Sequence, residues 1–143
     1  MYYGCEHGSI PVKKNIYPGI ETLDDLYRVL SDVWCAETCT PRMREQWSKE
    51  NRTLGQCSIT SFLVQDLFDG EVYGILLEDG NYHCFNVIEG IKVDLTSEQF
   101  TDQVPDYEHV SVQKREEHFR KEEKYQRYLL LKDLLRQEEH RNA

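Results

Sequence analysis

Between Glu71 and Thr96 three strand-like runs, EVYGILLE, YHCFNVI and IKVDLT, are separated by two tight-turn signals, Asp79-Gly80-Asn81 and Glu89-Gly90. Connections this short cannot carry a crossover, so the three runs pair as neighbouring antiparallel strands. The segment just before them puts Ile59, Phe62, Leu63, Leu67 and Phe68 on one helical face and stops at Asp69-Gly70. A helix with one apolar face followed by a meander buries that face against the sheet. The fold class expected is therefore α+β.

The rest of the chain is arranged around that unit. Residues 1–20 carry Gly4, Gly8, Pro11, Pro18 and Gly19 without a period and read as an irregular arm. Thr22 reads as the N-cap of a helix, with Asp24 and Asp25 near its positive end and Leu23, Leu26, Tyr27, Leu30, Val33 and Trp34 at helical spacing. That helix is expected to reach about Thr38, before Pro41. Residues 41–56 are polar and suggest a short helix and a loop. Thr96 to Gln99 suggest one helical turn, and Pro105 ends it. From Lys114 a long helix is expected. Its first half, KREEHFRKEEK, reads as a solvated face, and Tyr128, Leu129, Leu131, Leu134 and Leu135 in its second half are positioned to dock on the core. The chain of 143 residues is expected to be one domain, with an arm (1–20), an α+β core (21–113) and a C-terminal helix (114–143).

Composition narrows the function classes. The net charge of −9 leaves no basic face of the kind that neutralises nucleic-acid phosphates or binds anionic membranes. No apolar run reaches the roughly 18 residues that would cross a bilayer, and the first residues lack the pattern of a signal peptide, so a cytoplasmic location is expected. Five cysteines, an odd number, are expected as free thiols rather than a disulfide framework. Cys35 and Cys39 would share a helix face if the first helix continued, yet their spacing is not that of a zinc site. No metal and no cofactor are expected.

Cys57 is different from the other four thiols. At the start of a helix, unsatisfied backbone N–H groups and the helix dipole favour the thiolate, which is the nucleophilic form. A thiolate that does chemistry needs a base, and the base needs an orienting group. His83 on the second strand and Asp94 on the third fill those roles. If the two are direct partners, pairs sum to 177, Val87 faces Gly90, and Ile88-Glu89 forms the turn. Those are poor turn residues, so a slightly longer loop is expected. In that register His83 and Asp94 share a face, and Tyr82, Cys84, Val93 and Leu95 make the core on the other.

The order of cysteine on a helix, histidine on a strand and aspartate on the next strand resembles that of papain-like and transglutaminase-like cysteine enzymes. In such sites a side-chain amide often helps to hold the oxyanion, commonly about six residues before the cysteine. By that analogy Asn51 is the first candidate for the oxyanion hole and Gln56 the second. WCAETC (34–39), GQCSITSFLVQDLFDGE (55–71), HCFN (83–86), VDLTSEQF (93–100) and RYLLLKDLL (127–135) together resemble the YunG-like family of small bacterial proteins, from Trp34 to Leu135. Cys84 stands where a large aromatic would be expected. The resemblance implies a compact α+β domain distantly related to papain-like or transglutaminase-like folds. It maps onto Gln56, Cys57, His83, Asn86 and Asp94. Asn86 is a rival orienter for His83, but strand alternation puts it on the other face, so Asp94 is preferred.

Two functions are consistent with this reading. One is a cysteine-nucleophile hydrolase or acyltransferase using Cys57, His83 and Asp94 on an amide or thioester of a small molecule, peptide or protein. The other is a non-catalytic interaction module with a degenerate site on the same fold.

Overall fold

A computed structural model of the chain describes residues 1–101 and 103–142. Helix α1 (Leu23–Val33) begins with a capping box: the Asp25 N–H donates to the Thr22 hydroxyl, and the Thr22 N–H donates to the Asp25 carboxylate. Leu23, Leu26, Val29, Leu30 and Val33 form its buried face. The helix stops at Val33 rather than near Thr38. The Thr38 hydroxyl donates to the Cys35 carbonyl and accepts the Cys35 N–H, a local turn that outcompetes helical bonding. Cys35 and Cys39 therefore share no helix face.

Helix α2 (Cys57–Phe68) is the central element, with Ile59, Phe62, Leu63, Val64, Leu67 and Phe68 all buried. It is followed by strands β1 (Glu71–Leu76), β2 (Tyr82–Ile88) and β3 (Ile91–Val93). A short β4 (Ser111–Val112) adds to β1, giving an antiparallel sheet in the order β3-β2-β1-β4. The meander and the helix on its face are as the turn signals imply. Cys84, Asn86 and Ile88 look toward α2, and the Asn86 side-chain N–H donates to the Ser61 carbonyl at 2.8 Å. On the other face Ile75, Phe85 and Tyr107 form a second, smaller apolar cluster.

The tail differs from a single helix. Helix α3 (Arg115–Phe119) ends at Arg120, and helix α4 (Glu122–Asn142) starts after a bend. Tyr128, Leu131 and Leu135 of α4 join the main core, as expected. The charged first half is not a uniformly solvated face. Arg115 donates to the Phe62 carbonyl and to Asp66, Phe119 packs on the core, and Lys124 is half-buried. The last residue of the expected helix, Ala143, lies outside the described residues. Among the described residues no helix is long and apolar enough to cross a membrane.

The N-terminal arm is irregular but tightly held. Tyr2 is buried and its hydroxyl donates to Asp24 at 2.6 Å. Tyr3 forms an antiparallel bridge with Asp94, whose N–H donates to the Tyr3 carbonyl at 2.9 Å.

Candidate active site

The approach to Cys57 is set by backbone conformation. Gly55 has φ +70°, and a Cβ there would sit 2.5 Å from the Cys39 sulfur, so no larger residue fits between the 39–40 segment and the start of α2. Thr40 N–H donates to the Gly55 carbonyl at 2.9 Å and fixes this approach. Cys57 is thereby the first residue of α2, where backbone N–H groups have no partner within the helix.

His83 is the second residue of β2 and is 1% exposed, as is Asp94. The His83 Nε2 lies 2.6 Å from Asp94 Oδ2. Asp94 has three further donors: the Tyr107 hydroxyl at 2.7 Å on Oδ2, and the Thr96 N–H at 3.1 Å and Thr96 hydroxyl at 3.3 Å on Oδ1. A carboxylate so surrounded holds one orientation. With Nε2 occupied, the His83 ring offers Nδ1 to its other neighbours. Gln99 Nε2 is 3.5 Å from that nitrogen and donates to the Thr96 carbonyl at 3.0 Å.

The pairing register differs from direct opposition of His83 and Asp94. Asn86 pairs with Val93, Val87 with Lys92 and Ile88 with Ile91. The turn is Glu89-Gly90, with φ +51° and +81°, the two left-handed residues of a primed hairpin turn. Glycine accepts that conformation freely, and Ile88 in that place would not. Relative to the expected register the strand has slipped by two residues, which keeps every side chain on its expected face. Asp94, just beyond β3, reaches His83 diagonally. Cys84, Val93 and Leu95 are in the core, but Tyr82 is 44% exposed and borders the cleft described below.

Neighbouring groups shift the protonation of Cys57, Cys84 and His83. The neighbouring Cys84 thiol, and then the His83 ring, hold Cys57 well below an ordinary thiol, against the opposing effect of burial. Cys84 moves the other way, because its proton is held by Cys57. Burial alone would lower His83, but Asp94 and Cys57 together push it up to about 10. Both shifts favour the thiolate–imidazolium form of the pair over the neutral one. Burial and Asp94 also raise Tyr107, which stays a hydroxyl donor.

Cys57, His83 and Gln99 open onto a cleft of about 380 Å³. Its far wall comes from the tail and includes His118, Lys121 and Lys124. Gln56 is fully buried and donates from Nε2 to the Cys35 carbonyl at 3.0 Å; its Oε1 has no partner among the described residues. Asn51 closes a small turn by pairing with Ser48 and lines a different depression, with Tyr27 and Trp34. Asn86 faces Ser61, away from His83. The fold thus brings Cys57, His83 and Asp94 together and keeps Asn51 and Asn86 apart from them. Sequence reasoning missed Gln99, Tyr107, His118 and Lys124. The only signal for Gln99 was its place three residues after Thr96. Among the described residues no three His, Cys, Asp or Glu side chains converge as metal ligands do.

Two comparisons with known proteins bear on this arrangement. The family model described as "YunG protein" matches residues 22–140. "Uncharacterized protein YunG" of Bacillus subtilis (strain 168) is 36% identical over 83 residues, covering 57% of this chain and 70% of that protein. No solved structure matches. The family match spans α1 to α4 and includes Cys57, His83, Gln99 and Asp94, and the chain belongs to the YunG family.

Proposed function

We propose that this chain is a cysteine-nucleophile enzyme, a hydrolase or acyltransferase acting on an amide or thioester. The observation that carries the reading is the buried 2.6 Å contact between His83 and Asp94, behind a ring that lines the same cleft as Cys57. The order of the three groups along helix and strands supports a reduced papain-like or transglutaminase-like core.

The chemistry follows from the resting charges. The Cys57 thiolate attacks the carbonyl carbon, forming the C–S bond and moving the carbonyl electron pair to oxygen. The Cys57 N–H and the side-chain amide of Gln99, which lines the same cleft, would donate to that oxygen. As the oxyanion collapses, the C–N or C–S bond to the leaving group breaks, and the His83 imidazolium gives its proton to the leaving atom. The neutral imidazole then takes a proton from water, or from an acceptor amine, as that nucleophile attacks the thioester. Collapse returns the Cys57 thiolate and the imidazolium. Asp94 remains a carboxylate throughout and acts by holding Nε2. Expected substrates are small molecules, peptides or proteins, and a chain of this net charge is not expected to act on nucleic acid in a cytoplasmic setting.

The test is the rate at which iodoacetamide modifies each of the five thiols at pH 7, read by mass spectrometry. Cys57 should react at least about tenfold faster than Cys5 and Cys35, and lose that advantage in His83→Ala. Equal rates at all accessible thiols would leave an interaction module as the better description.

A further inference from the structure

The cleft beside Cys57 has a charge opposite to that of the chain. The protein carries −9 overall, yet four cations, Arg42, Lys121, Lys124 and Arg127, border this cleft against one carboxylate, Glu123. Two of the cations are already matched. Arg127 pairs with Glu123 at 2.5 Å, and Arg42 with Asp79 at 3.6 Å. Lys121 and Lys124 have no carboxylate within 4 Å among the described residues.

Lys124 is held in place by a neutral neighbour. It is half-buried, and its ammonium donates to His118 Nδ1 at 2.9 Å. The His118 Nε2 lies 2.8 Å from the Gln113 side-chain oxygen, which can only accept, so Nε2 carries the proton and Nδ1 the lone pair. His118 is thus a neutral anchor that fixes the ammonium without neutralising it. Two of the three ammonium protons are left for other partners, and a desolvated cation of this kind favours an anion strongly.

We propose that the compound attacked at Cys57 carries a carboxylate or phosphate group, and that Lys124, positioned by His118 and joined by Lys121, binds that group. This rests on Cys57 being the nucleophile, but the anion site is measurable without it. Lys124 and Lys121 are binding residues, and His118 is a positioning residue.

The experiment uses the full chain. Succinate and inorganic phosphate are titrated separately and followed through the His118 ring resonances by NMR. At least one should give a saturable shift, and the anion that saturates at lower concentration identifies the group. Lys124→Gln should weaken that binding about tenfold or more, Lys121→Gln about threefold, and Lys124→Arg far less than Lys124→Gln. Cys57→Ser should bind at least as tightly as the parent, because it removes a sulfur whose negative charge acts on Lys124. No saturable shift from either anion, or equal loss in Lys124→Gln and Lys124→Arg, overturns the site. Saturable binding with an inert Cys57 overturns the nucleophile and keeps the anion site. A reactive Cys57 with no anion binding does the reverse.

Discussion

Two histidines face the same cleft from opposite walls, and their surroundings drive them apart. His83 on the strand wall has a buried carboxylate behind it and is pushed up to about 10. His118 on the helix wall is half-buried with an ammonium on its Nδ1, and burial and Lys124 lower it to about 4. The same side chain is therefore a stored proton on one wall and a neutral acceptor on the other. What differs most is the charge of the neighbours: the Asp94 carboxylate and the Cys57 sulfur act on His83, and an ammonium acts on His118.

The largest effects should come from breaking the strand wall. Cys57→Ser should abolish covalent labelling at the site. His83→Ala should slow Cys57 alkylation at pH 7 by about tenfold or more, because an ordinary thiol is only a few per cent thiolate there. Asp94→Asn should follow. Without the carboxylate only Cys57 still opposes the effect of burial on His83, and its ring titration, followed by NMR, should fall well below about 10. The same change strips partners from Thr96 and Tyr107 and should cost on the order of 3 kcal/mol in denaturant unfolding. A ring that still titrates near 10 in Asp94→Asn would remove Asp94 as the cause.

Cys84→Ala sharpens the comparison by testing a neighbour that only donates. Loss of its S–H bond should raise the Cys57 thiol and slow alkylation at pH 6 by about threefold, with little change above pH 9. The smallest effect should come from the helix wall. Native His118 is neutral and the unfolded residue binds a proton below about 6.5, so its contribution is present above that pH. It is lost as pH falls through about 4. His118→Gln should flatten this acid limb of the stability curve and leave iodoacetamide reactivity at Cys57 within about twofold. For His83 the sign is reversed: its contribution is full below 6.5 and is lost as pH rises through about 10.

Legibility in the sequence followed the same division. The strand wall could be read because its determinants are local and periodic. Asp79-Gly80-Asn81 and Glu89-Gly90 mark the turns, and alternation assigns faces. A two-residue slip moved the register but not the faces, so His83 and Asp94 still met. The turn itself was misplaced by one residue because it was inferred backwards from the pairing of two functional groups rather than from Gly90. The helix wall was illegible for a different reason. KREEHFRKEEK has the composition of a solvated helix, and nothing in its periodicity shows that the chain bends at Arg120 and turns Lys124 inward. Gln99 and Tyr107 arrive from segments with no regular period, where position depends wholly on tertiary packing. Asn51 was singled out by a spacing borrowed from larger proteins, and here that spacing spans a turn closed on Ser48.

The bridge between Tyr3 and Asp94 has a practical side. The family match begins at residue 22, which invites trimming everything before it. Yet the arm supplies the carbonyl that holds the Asp94 N–H, and the Tyr3 ring stacks at 4.0 Å on Tyr107, a donor to the same carboxylate. A protein shortened to the family border would keep Cys57, His83 and Asp94 and lose the clamp on Asp94. Homology boundaries here are an unsafe guide to where the chain can be cut, and an affinity tag belongs at the other end.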